Sequence, residues 1–265
     1  MKRIEQFAVC ALIALAVFSL SGAASAQAVF SGTWKIDMSR TRFSEKPLTF
    51  YTGEGWYHCE NCSPPVVVAA DGKDHPTQDP AYDTYSVTLV DDHTLHVVAK
   101  KGGMPALDIT NTVSPDGKTL TSKGTNYPES GGEVTYEMSA KRQGTLPTGV
   151  HATSGNWLAT KASGSENGLA TTYKVNGDEI SMTMPTGASY TTKLDGGDSP
   201  VKGYTGWDTV SLKKLSDHEI DETDKFGGKV VWTGKMTVAA NGKAMTIVGT
   251  EEPSGRATTY SATRQ

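Results

Sequence analysis

After its first 26 residues the chain is written in short runs in which apolar and polar residues alternate, broken at close, regular intervals by Gly, Asn and Asp. A period of two places successive side chains on opposite faces of a strand. The breaks VNGD (Val175 to Asp178), DGK (Asp116 to Lys118), ANGK (Ala240 to Lys243), KGG (Lys101 to Gly103) and FGG (Phe226 to Gly228) supply the positive φ that tight hairpins need. In the second half, NWLAT, TTYKV, EISMTM, SYTTKL, DTVSLKKL, EIDETDKF, KVVWTGKMTV, KAMTIVG and TTYSATR predict eight or nine antiparallel strands and no substantial helix. The expected fold is all-β, closed into small up-and-down barrels so that no sheet edge is left exposed.

The pattern occurs twice, 125 positions apart. Asp83 with Thr84, His93, Gly102 with Gly103, Gly117 with Lys118 and Gly124 with Thr125 recur as Asp208 with Thr209, His218, Gly227 with Gly228, Gly242 with Lys243 and Gly249 with Thr250. The openings match as FSGTW and TSGNW, and the ends as SAKRQ and SATRQ. A unit of about 110 residues is long enough to close its own core. The chain therefore divides into a leader (1–26), a first barrel (27–143), a linker of loop composition (144–154) and a second barrel (155–265), tandem in sequence.

Strand phase predicts the interiors. Leu107, Ile109, Asn111 and Val113 share one face, matched in the second copy by Trp232, Gly234, Met236 and Val238. Leu95, Val97 and Ala99 correspond to Ile220, Glu222 and Asp224, so an unbroken phase turns two carboxylates into the second barrel. Two readings stand open. A bulge or the barrel rim exposes the carboxylates to water, because burying them unpaired is costly; or they line a polar pocket with raised pKa values.

The Gly-x-Trp of each opening (Gly32 to Trp34, Gly155 to Trp157), followed by a meander and a closing strand with Arg142 or Arg264, resembles the lipocalins and the wider calycin group, and most of all the lipocalin-like repeats of secreted bacterial proteins. The resemblance implies that the first-strand tryptophans, Trp34 and Trp157, pack across the barrel bottoms beneath Arg142 and Arg264. A guanidinium can stack on an indole face while donating to carbonyls. It also implies a cavity able to take a small apolar ligand. The motifs between the two ends, the C-terminal helix and the usual disulfides of lipocalins are missing.

Lys2 and Arg3 before an apolar run from Phe7 to Leu20, then Ala24, Ser25 and Ala26, read as a secretory signal cleaved near Ala26. Cys10 lies inside that run and nothing like a lipidation cysteine follows, so a periplasmic or secreted protein without a stable membrane anchor is expected. The net charge of −4 becomes one unit more negative when Lys2, Arg3 and Glu5 leave, and offers no basic footprint for nucleic acid. In an oxidising compartment Cys59 and Cys62 of HCENC most simply form a disulfide across a hairpin turn. Thioredoxin-like chemistry wants a helix N-terminus, and haem attachment wants His where Ser63 stands. Zinc would need further ligands, for which His58, His75 and His93 are candidates. The Asn61, Cys62, Ser63 triplet matches a glycosylation acceptor but carries no weight in a chain of bacterial type. DGKD (Asp71 to Asp74) and DGGD (Asp195 to Asp198) lack a calcium loop's ligand count and read as turns, as do the settings of His93 and His218. No nucleophile motif, phosphate loop or dinucleotide fingerprint is present, and no metal or cofactor is expected.

These readings converge on an exported binding or carrier module for a small apolar or amphipathic molecule. The second lumen is its site, with Trp207, Glu222, Asp224, Trp232 and Met236 as ligand-binding candidates. One alternative is a small-molecule isomerase or hydrolase using Glu222 or Asp224 as general acid or base. The other is a structural envelope protein whose barrels are filled by their own side chains, since small barrels have little room to spare. The sequence does not bear on oligomeric state.

Overall fold

A computed structural model describes residues 26–62, 65–204 and 206–265, which are almost entirely β. Most of the leader, with Cys10, lies outside the described residues, as does Ser63. Before the linker lie β1 (Gly32–Ile36), β2 (Leu48–Gly53), β3 (Trp56–Cys59), β4 (Val66–Ala69), β5 (His75–Pro76), β6 (Thr84–Asp91), β7 (Thr94–Lys101), β8 (Met104–Val113), β9 (Thr119–Asn126) and β10 (Val134–Gln143). After it lie β11 (Gly155–Gly164), β12 (Ala170–Asn176), β13 (Glu179–Thr183), β14 (Ser189–Lys193), β15 (Asp195–Lys202), β16 (Thr209–Lys214), β17 (Glu219–Phe226), β18 (Lys229–Val238), β19 (Ala244–Glu251) and β20 (Arg256–Arg264).

The two copies exchange their first strands. β1 pairs antiparallel with β12 and β20 and completes a closed barrel in the order β1, β12, then β13 through β20. β11 pairs with β10 and β2 in a ten-stranded sheet of order β4-β3-β2-β11-β10-β9-β8-β7-β6-β5, which curls nearly shut. The sheets are thus delimited by position 144–154 everywhere except at β1 and β11, which change places. Chain connectivity accounts for this. β10 and β11 are consecutive and fold back on one another as a hairpin, the pairing that sequential strands favour. Once β11 is in the first sheet, β12 and β20 are left with free edges, and β1 covers both.

The tryptophan closures follow the exchange. Arg264 lies 4.7 Å over the Trp34 ring and Arg142 lies 4.2 Å over Trp157, so one stack joins the two ends of the chain and the other joins residues either side of the linker. Both indoles are buried, and their Nε1 groups donate to Phe30 O (2.8 Å) and Thr153 O (2.9 Å). Arg142 donates to the carbonyls of Gly117, Ala152 and Ser154, and Arg264 to those of Val29 and Ser31. Gly155, at φ 137°, is required here, because a Cβ would stand 2.5 Å from Arg142 Nη1.

Each sheet encloses its own core. One gathers Phe30 and Trp34 with Ile180, Leu212, Ile220, Met236 and Met245; the other gathers Phe50, Val66, Val87, Leu95, Leu120 and Trp157. The predicted tips at 101–103, 116–118, 176–178, 226–228 and 240–243 are turns. Asp71 to Asp74 is also irregular, but Asp195 to Asp198, expected to be a turn, opens β15 across a register shift. In both copies the last Asp meets a lysine two strands away, as Asp74 with Lys100 at 2.6 Å and Asp198 with Lys225 at 2.7 Å, which commits these carboxylates to surface ion pairs.

A fragment spanning 165–265 lacks both β1, with Phe30 and Trp34, and β11. It should give a collapsed amide NMR spectrum on its own and a dispersed one when a peptide of residues 26–43 is added; failure of the peptide to restore dispersion would contradict closure of this barrel by β1.

Candidate functional site: the upper lumen of the second barrel

The interior of the second barrel is graded from bottom to top. Lumen-facing residues lie side by side in registered rows across β17, β18, β19 and β20. Above the floor made by Trp34, Val238, Met245 and Ala262, one row reads Ile220, Met236, Ile247 and Tyr260. The next reads Glu222, Gly234, Gly249 and Thr258, and the top row reads Asp224, Trp232, Glu251 and Arg256. The lower half is apolar and the upper half carries acids, a base and an indole.

Glu222 and Asp224 are 8 % and 6 % exposed, so strand phase holds and neither a rim nor a bulge turns them out. A register shift does exist, but it falls after them, between Asp224 and Lys225. Burial pushes both carboxyls upward in proton affinity, and the neighbouring Glu222 raises Asp224 further. They stand two residues apart on the same face of β17, so ionising one makes ionising the other harder. Tyr173 on β12 and Tyr190 on β14 face the same space and are also buried. Desolvation, with the carboxyl charges added, holds both phenols neutral as donors. Within this cluster the Tyr190 hydroxyl and Asp224 Oδ1 are buried without a hydrogen-bond partner.

The Trp232 indole lies flat over Gly234 and Gly249, which face each other across β18 and β19; a Cβ on either would fall 2.0 or 2.2 Å from the ring. The glycine pair is therefore the seat of the indole. Trp207 is half-buried and stands edge-on to Tyr190, with ring centroids 6.0 Å apart, and 5.3 Å from Tyr204, which is exposed. These three rings form an aromatic path from solvent to the carboxyl pair. Met236, a ligand-binding candidate from sequence, belongs to the row beneath and is fully buried in the core beside Ile220.

The first barrel has no such interior at the corresponding places. Leu95, Val97 and Ala99 are buried apolar residues, and its Asn111 and Ser122 satisfy each other at 2.5 Å. Cys59 and Cys62 form a disulfide with Cα atoms 5.4 Å apart at the end of β3. His58 stacks on Tyr51 (4.5 Å), His75 meets Asp71 (2.7 Å) and His93 sits in an exposed turn, so the structure does not bring the zinc candidates together. Among the described residues no three metal-ligating side chains gather. Asn61 accepts from the Thr49 backbone, and Tyr57 is core while Trp56 is exposed.

Tyr173, Tyr190, Arg256 and the buried Asp79, held by Tyr85 at 2.9 Å, escaped the sequence reading. Arg256 was within reach, because counting back in twos from Arg264 runs through Ala262, Tyr260 and Thr258 to it. The buried carboxyls themselves called for nearby donors, and TTYKV and SYTTK carried them. Asp79 lies outside any strand, where alternation has no meaning. No family model matches the chain, and no curated protein or solved structure is detectably similar to it.

The carboxyl pair makes stability depend on pH. Groups whose proton affinity is raised by folding stabilise the protein fully below the unfolded carboxylate pKa of about 4 and lose that contribution as pH climbs through the folded values, about 7 and about 9. Urea midpoints should therefore fall between pH 5 and pH 9. Asp224→Asn should flatten the profile by more than about 1 kcal/mol, the free energy of a roughly tenfold change in proton affinity. Equal slopes in the variant and the parent would show that the pair is hydrated.

Proposed function

We propose that the protein is an exported binding or carrier protein, built from two lipocalin-like repeats, that holds a small amphipathic molecule in the upper lumen of its second barrel. The observation that carries this reading is the pair of buried polar atoms without partners, Tyr190 Oη and Asp224 Oδ1, within an interior otherwise packed by apolar and aromatic groups. An unmade buried hydrogen bond costs about 1–3 kcal/mol, which a ligand group donating to Asp224 and accepting from Tyr190 would recover. A hydroxyl does both, and a protonated amine does the first. The ligand's apolar part would lie against Trp232 and Trp207, with Trp207 and Tyr204 as the gate, and small sites of this kind combine an apolar wall with a few placed polar groups. Glu222 sets the charge of the pair, and Met236 lies in the apolar row beneath it.

A second reading is favoured by the raised proton affinity of the pair. A carboxyl that changes protonation near neutrality can act as general acid or base on a small apolar substrate, as an isomerase or hydrolase would require. Activity in that case depends on pH and disappears in Glu222→Gln or Asp224→Asn.

Native mass spectrometry of the protein purified from its own host, followed by extraction of any bound molecule, tests the carrier reading. A stoichiometric amphipathic passenger is expected, and it should be lost in Asp224→Asn and reduced in Tyr190→Phe. A clean apo mass, with no shift of lumenal resonances on adding hydrophobic alcohols or amines, would favour barrels filled by their own side chains.

A further inference from the structure

The exchange of β1 and β11 opens the two interiors toward each other. β1 covers β20 only at residues 262–264, and β2 covers β11 only at 155–157, so the upper halves of β20 and β11 are spanned by the crossing segment between β1 and β2. That segment touches β20 through a bridge of Arg42 with Thr259. Under it lies a cavity of about 210 Å³. Its walls come from both barrels: Met138, Trp157 and Leu48 face it from the first, Arg256 from the second, and Met38 and Phe43 close it from the crossing segment.

Arg256 is the unusual member. Arg142 and Arg264, the other arginines turned inward, both donate from their terminal nitrogens to backbone carbonyls. Arg256 Nε is buried with no acceptor, as Nε of Arg264 is, but the terminal nitrogens of Arg256 donate to no carbonyl and its Nη1 only ion-pairs with Glu251 at 3.6 Å, beyond hydrogen-bonding range. Glu251 is half-exposed at the rim, and Lys46 adds a second cation there. A mostly apolar chamber with an underused guanidinium fork at one side is complementary to a carboxylate on a short apolar body, since the fork's geometry matches two carboxylate oxygens.

We infer that the junction between the barrels is a second binding site, for a small organic carboxylate whose head group pairs with Arg256 and whose apolar body lies between Trp157, Met138 and Phe43. The volume equals roughly seven waters at ~30 Å³ each, which limits the body to a short acyl chain or a single ring. The head group would sit on β20, in the same lumenal row as Asp224 but three strands from the carboxyl pair on β17, where an anion would be repelled.

Titration of the full mature protein with hexanoate and with hexanol, followed by NMR, tests the assignment. Hexanoate is expected to bind at least about tenfold more tightly than hexanol, the worth of one charge-assisted pair. Arg256→Gln should bring the two to equality, Arg256→Lys should restore part of the difference, and Ala162→Leu, which fills the cavity without touching a charge, should weaken both. Asp224→Asn should leave hexanoate binding unchanged. Equal binding of the two probes, or hexanoate binding that survives Arg256→Gln, overturns the junction site. If hexanoate binding instead disappears in Asp224→Asn, the anion occupies the lumen; the junction site then fails while a binding lumen stands.

Discussion

The two arginine-on-tryptophan closures set the architecture, because one ties the first strand to the last strand of the chain and the other locks β11 onto β10 across the linker. Trp34 reaches Arg264 at the far end of the chain, and Trp157 reaches Arg142 across the linker. Each stack buries a large indole, satisfies its N–H on a backbone carbonyl and fixes a guanidinium in the same place. Neither barrel is complete until both copies are present. The two sheets share strands across the duplication, and the long-range pairing of β1 with β20 slows folding relative to a simple tandem.

Within this shared scaffold the copies have diverged in what they enclose. Where the first copy has the apolar column Leu95, Val97 and Ala99, the second has Ile220, Glu222 and Asp224, with ionisable groups in place of two core groups. The surrounding changes are of the same kind. Trp232 stands where the first copy has Leu107, and the facing glycines Gly234 and Gly249 make room for its ring, whereas the first copy has Ile109 opposite Gly124. A carboxyl pair in such a place lowers stability at neutral pH. Its burial within a closed barrel, together with two unsatisfied polar atoms, is the physical basis for proposing chemistry in the second copy and not in the first.

Most of the fold was legible from alternation, turn residues and the duplication, because period two and the Gly-Asn-Asp tips are local properties. The inward phase of Glu222 and Asp224 was legible for the same reason, and both carboxyls are buried because the bulge falls one residue too late to turn them out. The strand exchange was not legible. β1 and β11 carry equivalent Gly-x-Trp sequences and would fit either barrel, so the choice rests on the linker's allowing β10 and β11 to form a hairpin. Asp79 and the unsatisfied state of Arg256 were also hidden, since both depend on neighbours distant in sequence. Met236 does face the interior, as phase predicts, but in the apolar row beneath the carboxyls, because depth along the barrel axis is not written in alternation.

The exchanged closure is tested most directly by disulfide trapping. Lys35 stands opposite Thr263 on the neighbouring strand, whereas a barrel closed within the first copy would place it opposite Lys141. In the mature protein the pair Lys35→Cys with Thr263→Cys should oxidise to an intramolecular bond of monomeric mass, and Lys35→Cys with Lys141→Cys should stay reduced. Ready formation of the 35–141 bond in a monomer, with none at 35–263, would contradict the intertwined architecture and with it the cavity at the junction.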